Sequence, residues 1–84
     1  MNIGEAVAAM KQNYRVRRAG WNGKGMHIYL EDDLESTIEG RNPRLRDGRM
    51  YHSYIVLLTA GGTFQPGWNA STPDLLADDW EIVT

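Results

Sequence analysis

The side chains that could do chemistry in this sequence are His27 and His52, Ser71, the acidic group Asp74, Asp78, Asp79 and Glu81, Lys24 between two glycines, and the turn tryptophans Trp21 and Trp68. Gly23-Lys24-Gly25 has the composition of a phosphate loop, but the position five before Gly23 is Arg18 and no Ser or Thr follows Lys24. The P-loop pattern therefore fails, as does the dinucleotide fingerprint. The two histidines stand on expected strands without a His-Glu-x-x-His spacing or a paired carboxylate, so neither is assigned to metal or catalysis. Ser71 has no histidine at a recognisable spacing, and a serine nucleophile needs such a base. The acidic group reads as helix capping and a solvated edge in preference to a general acid and base. No catalytic set, metal set or cofactor is expected.

Binding chemistry fits better. Trp21 lies among Gly20, Gly23 and Gly25, a setting poorly suited to core but one where a ring could stack on a flat ligand such as a purine, a contact worth about 1–3 kcal/mol. The amides of Gly23 and Gly25, with Lys24, could hold phosphates. The competing reading is a rigid turn in which Trp21 plugs the edge of the sheet. Trp68-Asn69 repeats an aromatic and an amide in a turn and suits a second wall of the same pocket. Asp74 could accept from a ribose hydroxyl or an adenine amine, or cap its own helix. Trp80, beside Ile82, reads as core. Arginines 41, 44, 46 and 49 could touch phosphates or be simply solvated.

These residues need elements to position them. Asn2 and Glu5 form an expected capping box, with Ile3, Val7 and Met10 on the core face of a helix reaching Lys11. Tyr14 to Arg18 alternates as a short strand with Val16 inward and the arginines on the wet face. The glycine loop follows, then a strand from Met26 to Leu30, with Met26, Ile28 and Leu30 on one face and His27 and Tyr29 on the other. Residues 31–49 lose apolar periodicity and read as a long loop, acidic then basic. Met50–Thr59 and Thr63–Gln65 make a hairpin reversed by Ala60-Gly61-Gly62 and ended by Pro66-Gly67. Thr72, as N-cap before Pro73, opens one helical turn to Ala77, and Trp80–Val83 is a final strand. The result is a single α+β domain over residues 1–84: a short N-terminal helix packed on a mainly antiparallel sheet, with a short C-terminal helical turn.

Composition bounds the partners. Nine Lys and Arg against eleven Asp and Glu leave a net charge of −2, which argues against binding duplex DNA or an anionic membrane by charge alone. An 84-residue chain hides only about 60–65% of its unfolded surface. There is no cysteine to staple it, so a homo-oligomer is expected. The start of the sequence has no signal-like run, and no stretch approaches about 18 apolar residues; a cytosolic protein is expected.

The helix opening Ile3-Gly4-Glu5-Ala6, the run Gly20-Trp21-Asn22-Gly23-Lys24-Gly25-Met26, and the closing block Trp68-x-x-Ser71-x-x-Asp74-Leu75-Leu76-Ala77-x-Asp79-Trp80-Glu81-Ile82-Val83 together resemble the Thoeris anti-defence protein two family. The resemblance implies a small phage protein, working in the cytoplasm of the infected bacterium. It would bind and hold, without cleaving, the cyclic ADP-ribose isomer made by Toll/interleukin-receptor immune enzymes. Some members also trap cyclic oligonucleotides at a separate site, and members assemble as homotetramers with ligands between subunits. By position, the resemblance puts Trp21 and Asn22 in or beside the nucleotide pocket, with Trp68 and Asp74 as further lining residues. It transfers nothing onto the segment from 31 to 50. Two other functions are weighed against this sponge: an enzyme degrading such a signal through His27, His52 or Asp74, and a protein-interaction module using the loop and exposed tryptophans.

Overall fold

Asn2 starts the first helix through its side chain. In the computed structural model, which describes residues 1–31 and 52–83, Asn2 Oδ1 accepts from the Glu5 amide at 2.8 Å, and Glu5 Oε1 accepts from the Asn2 amide at 2.9 Å. This reciprocal box satisfies two amides that the first turn leaves without helical partners, and it opens α1, Ile3–Lys11. The helix seats on Ala6 and Met10, both buried, with Ile3 and Ala9 packed beside them. The expected core trio is thereby corrected: Val7 is 36% exposed and Ala6 takes its place at 0%. The buried row runs from i to i+4 along Ala6 and Met10, and a methyl group lets the helix lie close to the sheet.

The sheet is antiparallel throughout, in the order β4-β3-β2-β1-β5. Its strands are β1 Arg15–Arg18, β2 His27–Glu31, β3 Tyr54–Leu58, β4 Phe64–Pro66 and β5 Trp80–Val83, and α2, Thr72–Leu76, lies between β4 and β5. The expected α+β class and both helices are found. Val16 stands opposite Ile28 and Ile82, and Arg18 opposite Trp80, so alternation puts Val16, Arg18, Ile28 and Trp80 on the face that α1 covers. Arg17, one residue out of step, points to the other face and meets Glu81 at 2.8 Å. The expectation that all the β1 arginines are on the wet face therefore fails for Arg18, two residues beyond inward-facing Val16.

Other boundaries shift modestly. Thr59 and Thr63 close the hairpin, with the Thr59 amide donating to Thr63 O at 2.9 Å, and Gly62 takes the positive φ of 89° that the reversal needs. His52 is exposed and lies ahead of β3 instead of within it. Glu31 ends β2; the rest of the expected loop, with its four arginines, lies outside the described residues. The cap of α2 is Ser71, not Thr72, because Ser71 and Asp74 exchange side-chain to backbone hydrogen bonds in a second capping box. Pro73 consequently sits at the second helical position and Ala77 outside the helix. Among the described residues, no helix is long and apolar enough to cross a membrane.

Candidate functional site

The end of β1 delivers the chain into the glycine loop. The Trp21 amide donates to Arg18 O at 3.1 Å, and the Met26 amide to Gly23 O at 3.1 Å. Gly23 is required by space: a Cβ there would lie 2.6 Å from Ala60 Cβ in the hairpin turn and 2.8 Å from Met26 Sδ. Gly25 is required by conformation, with φ of 80°. The loop is thus pinned between its own turn and the hairpin.

Trp21, Trp68 and Trp80 converge on one another. Ring centroids are 5.5 Å apart for Trp21 and Trp80, 6.1 Å for Trp21 and Trp68, and 6.2 Å for Trp68 and Trp80, all edge to face. Such pairs are favoured by the ring quadrupole and add about 0.5–1.5 kcal/mol each beyond area burial. Trp80 is buried, as expected of a core residue, and donates Nε1–H to Asp74 O at 3.0 Å. Trp21 and Trp68 are half-buried and pack against the core. The expectation that Trp21 is poorly placed for core is corrected accordingly: it is half-buried and packed against the core cluster. Trp68 is held by its own turn, where the Gly67 and Trp68 amides both donate to Ile55 O, at 3.0 and 3.1 Å. The structure thus brings together two rings, Trp21 and Trp68, that are far apart in the sequence. Asn22 and Lys24 are exposed on the loop.

Asp74, whose carbonyl accepts from Trp80 Nε1, is engaged through both carboxylate oxygens. Its Oδ1 accepts from Arg18 Nη1 at 3.0 Å, and its Oδ2 accepts from the Ser71 amide at 3.0 Å and the Ser71 hydroxyl at 2.8 Å. Arg18 Nε donates to Asp79 Oδ1 at 2.9 Å. The Arg18 side chain, 24% exposed, therefore joins the start of α2 to the lead-in of β5. Burial works against the charge of Asp74, but the Ser71 amide, Arg18 and the Ser71 hydroxyl outweigh it and hold the carboxyl below its ordinary range. The hydrogen bond from Arg18 does the same for Asp79, and both carboxylates raise the Arg18 guanidinium. Reading the sequence for chemistry misses Arg18 as a site residue; continuing the inward alternation from Val16 is the signal that finds it.

The opposite face of the sheet holds a concavity of about 630 Å³, lined by Tyr14, Arg15, His27, Tyr29, Leu58 and Phe64 among others, a volume within the usual range for small-ligand sites. His27 is 7% exposed, and its Nδ1 lies 2.9 Å from Gly25 O. A carbonyl only accepts, so Nδ1 carries the proton. Tyr29 packs edge to face on Phe64 at 6.2 Å, and burial, then Glu31 and Tyr54, raise its phenol above the usual value. Among the described residues, no group of three His, Cys, Asp or Glu is placed to hold a metal ion.

Comparison with known proteins finds relatives of this chain in sequence. The model of the Thoeris anti-defense 2-like domain matches residues 1–83. Thoeris anti-defense 2 of Bacillus phage SP01 is similar to this chain, with 35% identity over 86 aligned residues that cover 100% of the chain and 96% of the relative.

Proposed function

Because the chain belongs to the Thoeris anti-defense 2-like family, whose role is phage anti-defence, we propose that it acts as a sponge, binding a cyclic ADP-ribose isomer in the host cytoplasm and holding it uncleaved. The observation that carries this reading is the pair of half-buried indoles, Trp21 and Trp68, seated on buried Trp80 beside a glycine loop. Rings anchored in this way lose little freedom when a base stacks on their open parts, and pre-organisation of this kind favours tight binding.

Trp21 is read as the stacking platform and Trp68 as the second wall. Asn22 would offer amide hydrogen bonds, while Lys24 and the Gly23 backbone would meet phosphate. A sponge for a signal at nanomolar to micromolar levels needs a dissociation constant in or below that range, about −8 to −12 kcal/mol. Two stacks of about 1–3 kcal/mol each, with charge-assisted bonds to phosphate, are of the right order.

Sequestration between subunits requires an oligomer, a homotetramer on the family resemblance. Supporting it, Phe64 and Tyr14 are 65% and 51% exposed around the outer concavity.

Native mass spectrometry with cyclic ADP-ribose isomers and cyclic di- and trinucleotides, followed by heat release, tests the proposal. A sponge gains whole ligands and returns them intact; an enzyme acting through His27, His52 or Asp74 returns product. Absence of any mass shift, with a protein partner recovered instead, would replace both with the interaction module. Trp21→Ala should fold and bind about tenfold or more weakly; unchanged affinity removes the stacking role.

A further inference from the structure

We propose that Arg18, through Asp74 and Asp79, is a positioning residue that sets the placement of the Trp21 and Trp68 rings, and that Asp74 serves the pocket from beneath without touching the ligand. The ligand clause rests on the function proposed above; the ring-positioning clause stands without it.

Each ring is tied to Arg18 by a short chain of contacts. The Arg18 carbonyl accepts from the Trp21 amide at 3.1 Å. The Arg18 side chain grips Asp74, and the Asp74 carbonyl accepts from Trp80 Nε1 at 3.0 Å. Trp80 is the base on which the Trp21 and Trp68 rings both rest. The second arm of Arg18 holds Asp79 at 2.9 Å, and the Asp79 carbonyl accepts from the Ala19 amide at 2.9 Å, which fixes the first residue beyond β1 on the way into the loop. One guanidinium thus joins the entry to the glycine loop, the start of α2 and the approach to β5.

Asp74 has little freedom to act on a ligand. One oxygen accepts from Arg18 and the other from both donors of Ser71. Oδ1 keeps one lone pair, but the Asp74 side chain is only 14% exposed, so a ribose hydroxyl or base amine has little access to it. Planar, two-armed donation also separates arginine from lysine, whose ammonium is a point charge without that fork.

The test uses Arg18→Met, Arg18→Lys, Asp79→Asn and Asp74→Asn, each read by tryptophan circular dichroism and by affinity for cyclic ADP-ribose isomers well below the melting transition. Indoles this close couple their transitions into a paired band, whose amplitude reports ring placement independently of stability. Arg18→Met and Asp74→Asn should melt cooperatively, lose most of the paired band and bind about tenfold or more weakly, with Arg18→Lys between them and the parent. The double variant Arg18→Met with Asp74→Asn should be no weaker than either alone, since both remove one link. Additive losses would mean that Asp74 contacts the ligand directly, and overturn that clause. A paired band unchanged in the folded variants would overturn ring positioning. Should Arg18→Met not fold, Arg18→Lys and Asp79→Asn decide the same question by the same band. If the parent itself binds none of the ligands, the sponge reading fails, and the band alone decides the role of Arg18.

Discussion

The two faces of this one sheet use aromatic rings in opposite ways. On the inner face, Trp80 is buried, its indole N–H is bonded, and Trp21 and Trp68 rest on it edge to face, with charged partners locked below. On the outer face, Tyr29 and Phe64 also meet edge to face, but Phe64 stays 65% exposed beside an open concavity. The inner rings are committed to the fold before anything binds. The outer pair leaves apolar surface exposed, so the same ring geometry accompanies a packed core on one face and an open rim on the other.

The contrast between the faces fails if the inner rings prove dispensable. Trp80→Ala should cost about 3–5 kcal/mol in chemical denaturation, enough to threaten so small a domain; a loss under about 1 kcal/mol would mean the rings do not depend on it. Gly23→Ala, at the loop that carries Trp21, should cost about 1–3 kcal/mol through the clash with Ala60, seen as a lower urea midpoint with unchanged slope. On the outer face, where the proposed oligomer would assemble, Phe64→Asp should change the stability of the single chain by only about 1 kcal/mol yet shift native mass toward smaller species. An unchanged assembly would move the subunit contact elsewhere.

The smallest effects are in pH, and they separate the faces by sign. Asp74 and Asp79 have folded values lowered below 3.8. Their contribution is therefore present above that pH and lost as acid titrates the folded carboxylates. Tyr29 has a value raised above 10.0 in the folded protein, so stability tied to it is present below pH 10.0 and declines as alkali ionises the phenol. Melting followed across both extremes should lose the inner paired band in acid, and it should weaken Tyr29 packing in alkali. Arg18→Met should blunt the acid limb alone.

Much of the scaffold is legible in local spacing. Asn2 and Glu5 announce the first cap, Val16 and Ile28 the inward rows, Trp80–Val83 the last strand, and Ala60-Gly61-Gly62 the hairpin reversal, because each depends on neighbours within a few positions. Trp21 and Trp68 are legible as types but not as a touching pair, since turn composition does not specify distance. Arg18 and Asp79, 61 positions apart, are not legible as partners at all; only the β1–β5 register brings them together. The Ser71 cap is displaced by one position from the expected Thr72 because both are capping types, serine the better of the two, and Asp74, three residues after Ser71, exchanges bonds with it.

The contact between Gly23 and Ala60 has an evolutionary consequence. A glycine loop and a hairpin tip that meet with no room for one more methyl group must change size together. Among related sequences of this length, a larger residue at 23 should be accompanied by glycine at 60. Ala60→Gly should restore part of the stability lost in Gly23→Ala, since the approaches to Met26 Sδ at 2.8 Å and Met26 Cβ at 3.2 Å remain, as a double-mutant cycle would show. The tip of the hairpin, distant in sequence from the glycine loop it supports, is then part of what heredity must preserve for that loop to keep its shape.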